Sequence, residues 1–158
     1  AHIGGPDYLV TVLTHGFCTA LVEQFNPAET IPFYRDNGIT IAGGGAAFYT
    51  MLLAEQRKQP GEPIIPTLRM LSGGGGPKPP ELHYEVQREM GGRGCCHGYG
   101  MTEVPMIVQG GPADTDEQLA NTDGKPIHGI QLRLVPMEGR EAAIGEEGAA
   151  RPTGPTVC

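Results

Sequence analysis

The chain has 158 residues with 25 Gly, 15 Pro and no Trp, and its 18 Asp plus Glu outnumber its 11 Lys plus Arg to give a net charge of −7. This length predicts one domain with a sizeable core, and the acidic balance without a basic cluster argues against binding to nucleic acid or to anionic lipid. The longest nearly apolar run, residues 46–54, is far shorter than the roughly 20 residues that span a bilayer, so no transmembrane segment is predicted.

The first two thirds of the chain alternate short apolar runs with helical patterns, which is typical of βαβ units around a parallel sheet. The predicted helices cover residues 7–13, 27–37, 46–58 and 79–90, and the predicted strands cover residues 18–22, 39–41, 68–72 and 94–99. Gly16 ends the first helix, while Asn26 and Pro27 begin the second. The apolar stripe predicted for the third helix contains Phe48, Met51, Leu52 and Leu53.

From about residue 112 the pattern changes. Residues 130–135 alternate like an antiparallel strand, and Pro152 argues against strand pairing around it because proline cannot donate to a ladder. The acidic residues of this part lack the spacing of a calcium loop and are expected on a solvated face; they are Asp114, Asp116, Glu117 and Asp123. We expect an α/β part over residues 1–112 and the beginning of a small β part over residues 113–158.

The four cysteines have neither zinc-site spacing nor a disulfide framework. Cys95 and Cys96 are neighbours, and on a strand their side chains point to opposite faces, so a packing role is expected. Free thiols favour a reducing compartment, and no secretory signal precedes them, so we expect a cytoplasmic protein. His15 and His83 lie in helical patterns and are expected to be satisfied or solvated side chains.

Four consecutive glycines, Gly73–Gly76, stand between a predicted strand and a predicted helix. Without side chains, their backbone N–H groups can approach a planar ring or a phosphate at the carboxyl edge of a parallel sheet. A tight turn that only needs positive φ is the alternative, and the glycines alone do not separate the two. Neither a P-loop nor a G-x-G-x-x-G pattern is present.

A second feature, residues 98–103 (GYGMTE), follows the strand predicted over 94–99. Tyr99 offers an aromatic face for a base, Thr102 a hydroxyl for a phosphate oxygen and Glu103 a carboxylate for a hard cation. These three groups suit a metal-bound nucleotide. The alternative is a structural turn with one partly buried tyrosine and a surface acid.

Residues 72–82 (SGGGGPKPPEL), followed by residues 97–103 (HGYGMTE), resemble the Gly-rich segment and the Y-G-x-T-E motif of the adenylate-forming enzymes, specifically the AMP-forming acid:CoA ligases, or acyl-CoA synthetases. The resemblance extends over essentially the whole chain. It implies an α/β fold with a parallel sheet flanked by helices, plus the start of a β-barrel-like subdomain. The family's phosphate loop and lysine-bearing lid have no counterparts here, so we expect a middle piece of a longer ligase that is inactive alone.

The resemblance also implies roles for individual residues. Tyr99 packs on adenine, Thr102 contacts the α-phosphate and Glu103 binds Mg²⁺, while His2 lies near the carboxylate and thiol tunnel. Backbone at the glycines lines the adenine and acyl pocket or leaves room for the acyl group; these glycines are Gly74, Gly75, Gly76, Gly98 and Gly100. The chain departs from the usual family pattern at Gly76, Lys78 and His97.

The implied reaction has two steps. A carboxylate attacks the α-phosphorus of ATP and expels pyrophosphate, and the thiolate of coenzyme A then displaces AMP to give a thioester. No charged side chain is evidently aimed at the pocket, which favours a fatty, alicyclic or aryl acid and indicates a place in fatty acid metabolism. The alternatives are an adenylation domain that loads a carrier protein, a luciferase-like relative, or a nucleotide-binding module without turnover.

Overall fold

A computed structural model describes residues 4–157. The helices are α1 Gly4–His15, α2 Pro27–Asp36, α3 Ala46–Lys58, α4 Pro80–Met90 and α5 Asp116–Asn121. The strands are β1 Ile41–Gly43, β2 Met70–Gly74, β3 Cys95–Met101, β4 Val104–Gln109, β5 Lys125–Pro126, β6 Gln131–Val135 and β7 Ala149–Thr153. No helix in this part of the chain is long and apolar enough to cross a bilayer.

The strands form a five-stranded sheet in the order β1-β2-β3-β4-β5 and a separate antiparallel pair of β6 and β7. β1, β2 and β3 are parallel, whereas β4 and β5 join antiparallel. The predicted α/β class with flanking helices is confirmed, and the sheet is mixed because β3 and β4 are joined by a hairpin. A hairpin can only join antiparallel neighbours.

The helix predictions are confirmed because each helix carries local start and stop signals. At the start of α2 the Asn26 side chain accepts a hydrogen bond from the Ala28 N–H, and Pro27 occupies the first helical position. Beyond its end, Gly38 has φ +62. α4 likewise begins at a proline and ends before Gly91, whose φ is +81.

Two strands lie two residues beyond their predicted positions. The predicted strand over residues 39–41 begins instead at Ile41, because the Ile39 N–H donates to the Tyr34 carbonyl and so belongs to the end of α2. The predicted strand over 68–72 becomes Met70–Gly74, which places two of the four glycines inside the strand. The prediction of this strand rested on its apolar residues, which did not indicate that the strand continues into the glycines.

The strand predicted over residues 18–22 is wrong. This segment has no strand partner within residues 4–157, and Leu21 is 79% exposed. A strand requires a neighbour to receive its backbone hydrogen bonds. Here the segment instead faces β1 across a cleft.

The main core lies between the sheet, α3 and α4. α3 buries Tyr49, Leu52 and Leu53. The predicted stripe is therefore correct for the two leucines and wrong for Phe48 and Met51, which are 37% and 41% exposed. On β3 the vicinal cysteines belong to different core clusters, Cys95 to the main one and Cys96 to one with Met70 and Leu119, which confirms their packing on opposite faces.

Residues after 112 contain one predicted strand, confirmed as β6, and two features that the sequence analysis missed or rejected. α5 begins with a capping box, because the Thr115 hydroxyl accepts from the Gln118 N–H and the Gln118 side chain accepts from the Thr115 N–H. Pro152 does lie in a paired strand, opposite Leu132. The prediction that Pro152 prevents strand pairing is wrong because β7 is an edge strand, where a missing backbone N–H is tolerated.

Candidate functional site

The parallel pairing of β2 with β3 brings the two sequence motifs together. Gly73 is opposite His97 and Gly74 is opposite Gly98 in this ladder. Parallel neighbours end at the same edge of a sheet, so the glycine turn and the residues that follow Gly98 leave this edge side by side.

The Y-G-x-T-E motif forms a hairpin. Met101 pairs with Val104, so Thr102 and Glu103 are the two residues of the turn between β3 and β4. Both side chains are exposed and have no hydrogen-bond or ion-pair partner within residues 4–157, and Tyr99 is 42% exposed on the strand that leads to them. The ring, the hydroxyl and the carboxylate are therefore available to a ligand.

The surroundings of the four glycines, Gly73–Gly76, differ from one position to the next. A Cβ at Gly73 would collide with the Gly44 carbonyl, and a Cβ at Gly74 would collide with the Gly98 carbonyl. Gly75 has φ +84, which favours glycine. A Cβ at Gly76 would meet nothing within 4 Å, so this position leaves open space at the sheet edge.

Gly98 and Gly100 are enclosed by β4. A Cβ at Gly98 would meet the Gln109 side chain, and a Cβ at Gly100 would meet the Pro105 carbonyl. Their missing side chains therefore let the hairpin close, which is a structural reason besides the acyl-group role that the resemblance implies.

Lys78 ties the far end of the Gly-rich segment to α5. Its Nζ donates to the carbonyls of Leu119 and Ala120, at 2.8 and 2.7 Å. These carbonyls belong to the last turn of α5, where no helical N–H follows to satisfy them. Sequence reasoning noted Lys78 only as a departure from the family pattern and missed this contact.

The prediction of a solvated acidic face is wrong for Asp114, which is 9% exposed, whereas the side chains of Asp116 and Asp123 are 41% and 50% exposed. Asp114 receives the Lys125 ammonium at 2.9 Å, and Asp116 lies 3.2 Å from the Arg93 guanidinium. Asp123 lies 2.8 Å from the Nδ1 atom of His97. Hydrogen bonding to Lys125 lowers the pKa of the Asp114 carboxyl.

His97 is a buried polar residue directly before the motif. Its side chain is 2% exposed, and its Nε2 atom has no hydrogen-bond partner within the described residues, whereas Nδ1 has Asp123. Asp123 is 26 positions away from His97 in the sequence, so the residues around His97 did not indicate this pair.

A cleft of about 880 Å³ opens beside this sheet edge. One wall is α1 with the segment 17–22, and the other includes β1 and Phe48 of α3. Ser72, Gly43 and Gly44 lie on its lining, directly before the glycine turn and at the end of β1. Its volume is within the range of small-molecule sites.

Comparison with known proteins decides the family. The sequence model of the family described as AMP-binding enzyme matches residues 1–158. The chain belongs to the AMP-binding enzyme family. The resemblance to AMP-forming acid:CoA ligases that the two motifs carry is thereby confirmed.

Relatives of this chain include two curated 2-succinylbenzoate–CoA ligases. The one from Bacillus licheniformis is 31% identical over 157 residues, and the one from Bacillus cytotoxicus is 30% identical. Each match covers 99% of this chain and 31% of the relative. A solved o-succinylbenzoate coenzyme A synthetase from Bacillus subtilis, in complex with ATP and magnesium ion, has a TM-score of 0.81 at 26% identity, over 99% of this chain and 31% of that one.

The residues of this chain fit a magnesium ion held through a nucleotide. No group of three or more His, Cys, Asp or Glu side chains within residues 4–157 is arranged to hold a metal by itself. Glu103 is a single unpaired carboxylate at the hairpin tip, and Mg²⁺ typically takes one or two carboxylates together with substrate phosphates. The remaining predicted site residue, His2, lies outside the described residues.

Proposed function

We propose that this chain supplies the adenine-binding and phosphate-binding edge of an ATP-dependent acid:CoA ligase. The observation that carries the proposal is the β2–β3 pairing, which places the glycine turn beside the Tyr99–Glu103 hairpin. Family membership and relatives that are named as CoA ligases support it. Because the chain spans only 31% of the length of these relatives, the ligase activity of the whole protein is part of the proposal.

In this proposal each exposed group has one task. The Tyr99 ring packs on adenine, the backbone of Gly74, Gly75 and Gly76 borders the pocket, and the Thr102 hydroxyl donates to an α-phosphate oxygen. Glu103 holds Mg²⁺, which when bound neutralises charge on the phosphate oxygens. These groups favour attack by a carboxylate on the α-phosphorus because negative charge increases there during displacement of pyrophosphate.

The second step, transfer of the acyl group to coenzyme A, follows from the same proposal. His2 is assigned to the carboxylate and thiol tunnel on the resemblance alone. The acid is assigned to an apolar class, since residues 4–157 contribute no charged side chain to the lining of the cleft beside the glycine turn. A fatty acid is one member of that class, whereas the relatives are named for an aryl acid.

The proposal is tested with the full product of the gene in an ATP–pyrophosphate exchange assay. We expect exchange that depends on an added carboxylic acid, and a loss of about 10²-fold or more in Glu103→Gln, comparable to the removal of one transition-state contact. Glu138→Gln is the matched control, because Glu138 is also an exposed, unpaired acid in a turn of residues 4–157. Full exchange in Glu103→Gln would contradict the site.

Two outcomes separate the alternatives. Exchange followed by thioester formation on a carrier protein but not on coenzyme A indicates a carrier-loading domain. Nucleotide binding without exchange, for any acid in a panel of fatty, alicyclic and aryl acids, indicates a binding module without turnover.

A further inference from the structure

The cleft of about 880 Å³ beside the glycine turn concentrates the aromatic side chains of the molecule. Five of the chain's nine Phe and Tyr residues line it: Tyr8, Phe17, Phe25, Tyr34 and Phe48. Phe25 and Phe48 meet edge to face, with ring centroids 5.0 Å apart and an interplanar angle of 78°. Such walls favour a flat ring, which gains edge or face contacts that a flexible alkyl chain does not.

Among the residues that the structure describes, those on the lining of the same cleft include no Asp, Glu, Lys, Arg or His. By contrast, the smaller cleft of about 390 Å³ between α2 and α3 is lined by Arg35, Glu55 and Glu62. A carboxylate buried without a cation or several hydrogen-bond donors carries a large desolvation cost. The larger cleft is therefore suited to the uncharged body of a ligand.

Neutral polar groups are present at the inner end of this cleft. The Tyr8 hydroxyl lies over Gly43, where a Cβ would collide with it. Burial raises the pKa of Tyr34, and the nearby Tyr8 phenol raises it further. The cleft offers hydroxyl donors to an ether, a carbonyl or a hydroxyl on a ring.

The cleft is continuous with the proposed reaction site. Ser72 and Gly44 belong to its lining, and Gly44 abuts Gly73, the first residue of the glycine turn. The cleft between the aromatic walls therefore has one end at the carboxyl edge of β1 and β2, where the glycine turn begins, and a ring bound in the cleft lies beside this edge.

We propose that this cleft binds the acid substrate and selects a ring-bearing acid with a single carboxylate. That substrate differs in charge from 2-succinylbenzoate, the two-carboxylate acid for which the relatives are named. The inference rests on the proposed function, because it assumes that the reacting carboxylate meets the nucleotide at the glycine turn. It narrows the apolar class to aryl monocarboxylic acids.

Calorimetry on the full product of the gene tests the inference with three non-hydrolysable adenosine sulfamates. They carry a benzoyl, a decanoyl or a 2-succinylbenzoyl group, and unsubstituted sulfamoyl adenosine serves as the nucleotide-only probe. We expect the benzoyl compound to bind about tenfold or more tightly than the other two acyl compounds.

Two variants assign that preference to the cleft. Phe48→Leu removes one aromatic wall and should weaken the benzoyl compound about tenfold, whereas Phe33→Leu should not. Phe33 is the matched control because both phenylalanines are 37% exposed and Phe33 is not on the lining. Thr19→Lys adds a cation to the lining at an exposed position and should improve binding of the 2-succinylbenzoyl compound relative to the benzoyl one.

The results distinguish the inference from the function on which it rests. Equal or tighter binding of the 2-succinylbenzoyl or decanoyl compound, or equal effects of Phe48→Leu and Phe33→Leu, overturns the inference while nucleotide binding still supports the function. If the full product of the gene is folded by circular dichroism and binds none of the four compounds, the proposed function fails as well. Unchanged selectivity in Thr19→Lys also contradicts the assignment, and this variant does not alter the core.

Discussion

Gly74 and Gly76 differ in what a methyl group would meet, although they are two positions apart in the same glycine run. Gly74→Ala would press its Cβ against the Gly98 carbonyl on the neighbouring strand, whereas Gly76→Ala has open space. We expect Gly74→Ala to lower the free energy of unfolding by about 1–3 kcal/mol, as overpacking does. Gly76→Ala should stay within about 0.5 kcal/mol. Urea unfolding of the two variants measures the difference, and equal losses would contradict the assigned packing.

The residue scale also shows how far the sequence alone specifies the site. Tyr99, Thr102 and Glu103 were identified from their chemistry, and the structure exposes all three at one hairpin. The contacts of Lys78 with α5 and of His97 with Asp123 were not predicted, because their partners are 26 or more positions away. A local pattern carries no information about such pairs. The ligand roles of Tyr99, Thr102 and Glu103, like those of the glycines and of His2, stay predictions.

At the scale of elements, α3 and α4 are joined by an ion pair with a defined response to acid. Arg57 donates to both carboxylate oxygens of Glu89, at 2.7 and 2.9 Å, and lies 3.1 Å from Glu85. Hydrogen bonding to Arg57 holds the pKa of Glu89 at about 2, below its ordinary value of 4.5. The group with the lowered pKa therefore stabilises the fold above pH 4.5, and this contribution disappears as pH falls towards 2.

The measurable quantity is the difference in unfolding free energy between the wild type and Glu89→Gln. We expect the wild type to be more stable at pH 6 and the two proteins to converge as pH falls towards 2, because the Glu89 carboxyl then takes up a proton whereas a glutamine side chain does not titrate. Glu138→Gln, at an exposed acid without a partner in residues 4–157, should give no such pH-dependent difference. A constant difference across the range would show that Glu89 acts through packing and not through its charge.

α5 depends on Lys78 because six residues are too few for a stable isolated helix. Lys78→Met removes two hydrogen bonds from a charged donor to the last-turn carbonyls, and we expect a loss of about 1.5–3 kcal/mol. Amide hydrogen exchange should show the loss first in residues 116–121. Lys58→Met, at an exposed lysine, should leave these amides unchanged. Protection of α5 that is equal in both variants would refute its dependence on Lys78.

Elements were predictable where their signals are local. The caps at Asn26 and Gly38 determine α2, so its bounds were found almost to the residue. The strands were displaced because glycines extend β2 and because the end of α2 uses the Ile39 N–H. α5 was missed although its capping box of Thr115 and Gln118 is a local start signal, and its contacts with Lys78 and Arg93 come from distant parts of the sequence. Tertiary contacts of this kind override local propensity.

At the scale of the whole molecule, one side of the structure presents apolar groups next to an unpaired strand edge. β1 is the end strand of its sheet, with Ile41 62% exposed. Around the adjoining cleft, Leu13 and Leu21 are 85% and 79% exposed. Contiguous apolar surface and a free strand edge both favour association with another surface. The proposed boundary near residue 112 falls between β4 and β5 in the sequence, and these strands lie at the opposite end of the sheet from β1.

We therefore expect the 158-residue chain to associate with itself as its concentration rises, and this is visible in sedimentation velocity. The double variant Leu13→Lys and Leu21→Lys should lower the associated fraction, because two cations replace apolar contacts on this side. The control is Met137→Lys with Ile144→Lys, at two fully exposed apolar positions elsewhere. It adds the same charge to a chain of net −7, so equal effects of the two double variants would assign association to overall charge. A monomeric wild type at high concentration would show that this apolar side does not drive association.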